Sequence, residues 1–131
     1  MHDHSIPVRV YYEDTDAAGI VYHANYLRFA ERGRTEMLRA AGFEHAAILH
    51  DTGIAFTVIT MDIKFKQPAK LDELLTVLTR MVSVGGASME MAQEIRRGET
   101  LLIDIKCKIA CIDKRGKAAR LPEAVRVLFK S

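Results

Sequence analysis

Residues 24–42 read ANYLRFAERGRTEMLRAAG, and they decide the fold because they carry a helical pattern inside a chain that otherwise alternates with a period of two. Tyr26, Phe29, Ala30, Gly33, Met37, Ala40 and Ala41 fall on one stripe, while Arg28, Glu31, Arg32 and Arg39 take the remaining surface. Gly42 ends the pattern as a C′ glycine should, free to adopt the left-handed conformation that stops a helix. Gly33 lies inside the pattern, where glycine costs about 1 kcal/mol relative to alanine. Close packing of the helix against something flat is the expected compensation. The spacing predicts one helix of about five turns over 24–41.

Everything else of length reads as strand. Upstream, IPVRVYYED (6–14) alternates, with Val8, Val10 and Tyr12 on one side and Arg9, Tyr11 and Glu13 on the other; Pro7 is tolerable at its start. Downstream, 45–53 reads as a loop. In AFTVITMDIKFK (55–66), Ile59, Met61, Ile63 and Phe65 face one way, and QPAKLDE breaks the run. LLTVLTRMVSV (74–84) is apolar on both faces, and Gly85-Gly86 makes a hairpin turn to ASMEMAQEIR (87–96). A second turn leads to LLIDIKCKIACID (101–113), and 122–129 is either a short helix or a strand. The four later strands are expected to form an antiparallel meander that the first strand joins, with the helix on its apolar face. The doubly apolar strand predicts cover on the other face from a second subunit.

The chain has 131 residues, 49% hydrophobic and 27% charged, which fits a single domain over 1–131 with a sizeable core. A net charge of +2, dispersed along the chain, argues against nucleic acid. The start MHDHSIPVRVYYED lacks the apolar run of a secretory leader, and nothing approaches the ~20 apolar residues of a membrane span. Cys107 and Cys111 fall on one face of a strand with Ile103, Ile105 and Ile109. Their Cα atoms are then about 13 Å apart, beyond disulfide reach. Buried, reduced thiols and a cytoplasmic location are expected, not a catalytic cysteine.

The chemistry gathers at YEDTDAAGIVYHANY (12–26), the junction of the first strand and the helix. Its D-x-D-x-x-G start imitates a calcium loop, but the twelfth position from Asp14 is Asn25, and a strand precedes where an EF-hand needs a helix. His2, His4, His23, His45 and His50 lack zinc-site spacing, so no metal is expected. No G-x-S-x-G, Rossmann or P-loop pattern occurs. What remains is a carboxylate, Asp16, a flexible AAG, and a helix start near residues 23–25. A helix N-terminus presents unpaired N–H groups and about half a positive charge. Aimed at a carbonyl oxygen, those groups form an oxyanion hole. A carboxylate nearby can attack the carbonyl carbon or activate water. The bland reading makes Asp16 an Asx-turn residue, Asn25 an N-cap and His23 a half-buried polar ring.

The segment YYEDTDAAGIVYHANYLRFAERGRTEML (11–38), with QPAKLDELL (67–75) and the later strands, resembles the 4-hydroxybenzoyl-CoA thioesterase family, and within it the tol-pal-associated acyl-CoA thioesterases. The resemblance implies an α+β hot-dog fold, an antiparallel sheet of about five strands wrapped around one long central helix. It implies homodimers or homotetramers with active sites at subunit interfaces. The implied reaction is hydrolysis of acyl-CoA to the free acid and CoA, without metal or organic cofactor. The family's catalytic aspartate falls on Asp16 and its thioester-polarising backbone N–H on His23, whose side chain is also counted in the site. Tyr12, Asn25 and Tyr26 become candidates for positioning or pocket lining, and Asp14 for shaping the turn. Ser88 follows a GGAS turn in which Gly85 replaces an arginine written by some relatives, which removes that phosphate contact. Lys64, Lys66, Arg96, Arg97, Lys106 and Lys108 are the candidate cations for the CoA phosphates.

Three rival readings stand beside this one. The hydratase signature D-x-N-P-x-H is not matched, since Asp16 and His23 are seven apart with no Asn-Pro between them. Glu31 is a rival nucleophile on the helix, although an ion pair with Arg28 or Arg34 is the simpler expectation. A non-catalytic module binding acyl-CoA or acyl carrier protein would use the same cleft. Phe56, Met61, Phe65, Met89 and Met91 either line an acyl pocket or fill the core.

Overall fold

The computed structural model describes residues 3–130. Five strands, β1 (Asp3–Arg9), β2 (Ala55–Phe65), β3 (Leu74–Val84), β4 (Ser88–Arg97) and β5 (Thr100–Ile112), accompany three helices, α1 (Asn25–Ala40), α2 (His45–Thr52) and α3 (Glu123–Lys130). The strands form one antiparallel sheet in the order β1-β3-β4-β5-β2. The architecture is the α+β hot-dog arrangement, with α1 against the sheet.

The expected four-strand meander needs correction. β3, β4 and β5 follow one another through tight turns, but β2 lies at the far edge beside β5, with Phe65 opposite Ile103. The linker after β2 explains the crossing. Lys66 and Gln67 N–H still donate to Leu102 O (2.8 and 3.2 Å), after which Ala69 O accepts Val21 N–H (2.9 Å) and Lys70 bridges Ile20. The chain is thereby carried past the N-terminal end of α1 before β3 begins.

The first strand also ends earlier than its alternation suggests. β1 starts upstream at Asp3, opposite Arg80, and stops at Arg9; Tyr12–Asp14 form a 3-10 turn. Pro7 sits in mid-strand opposite Thr76, which an edge strand tolerates because one side needs no N–H. The segment expected as a loop contains α2, closed by Gly53 at φ 72°. The ambiguous 122–129 segment is α3, which buries Val125 and Phe129.

Gly33 meets the flat surface that its position requires. A Cβ there would lie 2.7 Å from Val77 Cγ1, 2.9 Å from Thr79 Oγ1 and 3.2 Å from Gln93 Nε2, so α1 is pressed directly on β3 and β4. Phe29 and Ala30 join one core with Val77, Ile95, Ile103 and Ile105, while Met37 and Leu38 join a second with Met81, Met89, Met91 and Phe129. Ala40, expected on the stripe, is exposed, and Leu38 is buried in its place. Cys107 and Cys111 are free and buried. Burial pushes the Cys111 thiol up to about 11, and it raises Cys107 too, against the nearby Arg34 guanidinium. No helix of the described residues is long and apolar enough to cross a membrane.

Candidate active site

The polar junction divides into a scaffold and an exposed part. Asp14 is the scaffold. It is buried, its Oδ2 accepts Tyr11 N–H (2.8 Å), its Oδ1 accepts the Asn25 side-chain amide (2.8 Å), and its backbone oxygen accepts Tyr22 N–H (2.9 Å). Two hydrogen bonds converge on this one carboxylate. One side chain therefore ties the end of β1 to the start of α1. Asn25 is consumed in this tie and does not cap the helix, whose N-cap is Ala24.

Between these ends the chain closes a small loop. Thr15 bridges Val21, Asp16 N–H donates to Ile20 O (2.9 Å), and Gly19, at φ 78°, donates to Asp16 O (3.1 Å). Asp16 is exposed at the neck of this loop. Its Oδ1 accepts Ala18 N–H at 2.8 Å, the Asx turn of the bland reading. Its Oδ2 accepts no hydrogen bond from the described residues. The turn fixes the carboxylate by one oxygen and leaves the other for chemistry.

His23 follows at the tip of α1, exposed, with its ring edge-on to Phe65 at 6.4 Å. Among the described residues, the backbone N–H groups of His23 and Ala24 donate to no acceptor, whereas the next one, Asn25 N–H, is taken by Tyr22 O (2.8 Å). Tyr26 is buried and anchors rather than projects. Its hydroxyl accepts Ala69 N–H (2.9 Å), joining the first turn of α1 to the linker. Burial raises its pKa, with the Ala69 hydrogen bond opposing. His23, Tyr26, Ile20, Phe65, Lys66 and Ile103 line a cavity of about 250 Å³.

The remaining candidates scatter. Tyr12 is 84% exposed on the 3-10 turn. Ser88 begins β4 opposite Ala110, seven residues before Ile95, which lies in the row of Ile103 and Phe65. That is about 23 Å along the strand, so within one chain Ser88 does not meet His23. Of the cations, Arg96 is paired with Glu94 (2.8 Å) and Arg97 with Glu73 (3.0 Å). Lys64 and Lys66 are exposed near the His23 end, while Lys106 and Lys108 lie opposite Asp62 and Thr60. No group of three or more His, Cys, Asp or Glu converges to hold a metal among the described residues.

A larger cavity, about 430 Å³, opens farther along the same side of α1, toward β2 and β5. Glu31, Arg34, His45, Phe56 and Met91 are among the residues that line it. The ion pair expected of Glu31 is absent among the described residues, so its carboxylate is uncommitted at the cavity wall. Burial, with the Arg39 guanidinium, lowers the pKa of His45, while Glu31 opposes the shift. The sequence reading takes Arg34 only as an ion-pair partner of Glu31 and residues 45–53 as a loop. A four-residue step from Ala30 places Arg34 on the buried face, and that was the available signal.

Similarity to known proteins identifies the family. The model of the thioesterase superfamily matches residues 18–103. The acyl-CoA thioesterase YbgC of Haemophilus influenzae is 44% identical over 95% of this chain and 93% of its own length. The acyl-CoA thioester hydrolase YbgC of Escherichia coli is 43% identical over the same shares. A solved structure named "Probable Thioesterase" from Bartonella henselae is 44% identical and superposes with a TM-score of 0.87, covering 92% of this chain and 99% of that one. The fold is shared with the 1,4-dihydroxy-2-naphthoyl-CoA thioesterase from Synechocystis, at 23% identity and a TM-score of 0.88 over 97% and 95% of the two chains. The chain belongs to the thioesterase superfamily.

Proposed function

We propose that the protein is an acyl-CoA thioesterase that hydrolyses the thioester to a free acid and CoA, with Asp16 as its catalytic carboxylate. The observation that carries this reading is the pairing of an uncommitted Asp16 Oδ2 with two undonated N–H groups, at His23 and Ala24, on the loop and helix tip that one Asp14-centred scaffold fixes. A thioester carbonyl whose oxygen accepts those N–H groups gains electrophilicity as negative charge develops. Asp16 then attacks the carbonyl carbon, expelling CoA thiolate and leaving a mixed anhydride for water to cleave, or it removes the proton from an attacking water. Neither route needs a metal or an organic cofactor.

The active unit is a homo-oligomer in this reading. β2 is an edge strand whose Val58, Ile59 and Phe65 are 40–51% exposed, an unpaired apolar edge of the kind that proteins cover. A second subunit on that edge is the means by which Ser88 reaches an acyl-CoA bound at His23. Lys64, Lys66, Lys106 and Lys108 are then the cations left for the CoA phosphates, because Arg96 and Arg97 are paired.

Release of free thiol from acyl-CoAs of graded chain length, with an acyl-carrier-protein thioester in the same panel, tests the activity. Glu31 supplies the second reading, since it is an unpaired carboxylate on the larger cavity. D16N is expected to lose at least ~100-fold in kcat, within the range for a positioned acid or base, and E31Q far less. The opposite order transfers the catalytic role to Glu31. Tight acyl-CoA binding without any thiol release makes the protein a binding module.

A further inference from the structure

Asp14 and Asp16 stand two residues apart and have opposite fates. Asp16 is exposed, whereas Asp14 is only 7% exposed and engages every polar group it has. Its N–H donates to Tyr11 O (2.9 Å), and its backbone oxygen accepts Tyr22 N–H (2.9 Å). Its Oδ2 accepts Tyr11 N–H and its Oδ1 accepts the Asn25 amide Nδ2, both at 2.8 Å. Among the described residues no cation lies within ion-pair distance of it. Directed hydrogen bonds from neutral groups, not a charge partner, therefore hold this side chain, and a buried polar group deprived of such bonds is costly.

These bonds enclose the two N–H groups of His23 and Ala24. Asp14 holds Tyr22 on one side of them through its backbone oxygen, and Asn25 on the other side through Oδ1. Asn25 N–H donates to Tyr22 O (2.8 Å) and closes the bracket. The loop that carries Asp16 leaves from the same residue: Thr15 bridges Val21, and Asp16 N–H donates to Ile20 O (2.9 Å). Of these contacts, the one between Asn25 and Asp14 joins two side chains, eleven residues apart in sequence. It can be cut or reversed without disturbing the backbone pairing of the junction.

We propose that Asp14 is a positioning residue for the thioester reaction: acting through the Asn25 side chain, it fixes the His23 and Ala24 N–H groups relative to the Asp16 carboxylate, and it touches no substrate. The proposal rests on the thioesterase reading above and assigns what keeps its two halves in register. N–H groups that meet a carbonyl oxygen as charge develops there act on the transition state more than on the bound substrate. Misplacing such groups by about 1 Å costs up to ~100-fold in rate. The effect of cutting the tie therefore falls on kcat and spares KM. What the tie requires is one donor and one acceptor facing each other at positions 14 and 25, in either order.

Variants at these two positions, compared by thiol release from the full chain at matched fold content, provide the test. N25A is expected to lower kcat by about tenfold or more, with KM held within about threefold. N25D sets two carboxyl groups against each other and is expected to lose ~100-fold or more. D14N/N25D restores the pair with donor and acceptor exchanged: the amide at position 14 donates to the carboxylate at position 25, and its oxygen still accepts Tyr11 N–H. That double variant is expected to recover to within about fivefold of the wild type. A residue that only supports the fold predicts a lower Tm in N25A with kcat unchanged. That result, a loss confined to KM, or a double variant no faster than N25D overturns the proposal. Should N25D fail to fold, the kcat and KM of N25A decide alone. If the wild type hydrolyses no acyl-CoA, the thioesterase reading fails by itself, and the amide resonances of His23 and Ala24 decide the role of the tie. Resonances displaced in N25A and returned in D14N/N25D support Asp14 as the residue that places these groups; resonances unmoved in N25A overturn it.

Discussion

Replacing Gly33 with alanine sets two opposed effects against each other at a single methyl group. In a free helix the change is favourable by about 1 kcal/mol, the propensity difference between the two residues. In this protein the added Cβ would stand 2.7 Å from Val77 Cγ1 and 2.9 Å from Thr79 Oγ1, well inside the ~3.5–4.0 Å of a comfortable contact. Neither neighbour can retreat easily. Val77 and Thr79 are fully buried on β3, and β-branched side chains are stiff at χ1. The same methyl would press on Gln93 Nε2 at 3.2 Å, which already holds Ala30 O and Thr79 Oγ1. Overpacking of this kind costs ~1–3 kcal/mol and at times more. With two neighbours displaced the upper part of the range applies, so the net effect is a loss of about 1–2 kcal/mol. For a domain of 131 residues that lowers Tm by about 4–8 °C. Urea unfolding and a thermal scan of wild type and G33A, at one protein concentration, measure it. A G33A protein as stable as the wild type, or more so, would refute direct contact between α1 and the sheet.

Other consequences follow from the same contacts. Both cysteines are buried, and the Cys111 thiol is raised to about 11. At pH 8 a disulfide reagent is therefore expected to find no reactive thiol in the native protein and both after unfolding. C107A and C111A should each leave turnover largely intact; a large fall in kcat would contradict their structural assignment. The raised thiol also sets a sign for alkaline stability. Above about pH 9 the unfolded chain ionises at Cys111 while the folded one does not until about 11, so stability should decline across that window, and C111A should flatten the decline. Y26F removes the oxygen that accepts Ala69 N–H. Leaving that buried donor unpaired is expected to cost about 1–3 kcal/mol, read as a lower urea midpoint. An unchanged midpoint would show that the linker is held by other means.

Much of this architecture was legible because it follows from periodicity. The stripe of Tyr26, Phe29, Ala30, Gly33 and Met37 placed α1 to within a residue at either end, and β3, β4 and β5 follow their alternation and turn residues. Pairing is a different matter. Alternation reports which face of β2 is buried but not whether its neighbour is β3 or β5, and the choice is made by backbone bonds from the linker to Leu102 and Val21. Tyr12 and Glu13 alternate like strand residues, yet Asp14 turns the backbone into a 3-10 helix through a side-chain bond to Tyr11 N–H that no pattern encodes. The helix α2 is eight residues long, has no side-chain cap, and buries only Ile48, too little to register as a stripe. At the junction, the turn at Asp16 and the helix start near His23 were readable from residue type and position. That Asn25 serves Asp14, and Tyr26 serves Ala69, required coordinates, because each partner is distant in sequence or chosen by the turn.

The chemistry proposed for the junction is tested most directly by the initial rate of thiol release from an acyl-CoA that the wild type hydrolyses, measured for the wild type and D16N at matched fold content. Asparagine keeps the size of the side chain and an oxygen for Ala18 N–H while removing the charge. A fall of at least ~100-fold with unchanged unfolding behaviour is the expected result. Equal rates in the two proteins would remove Asp16 from the reaction.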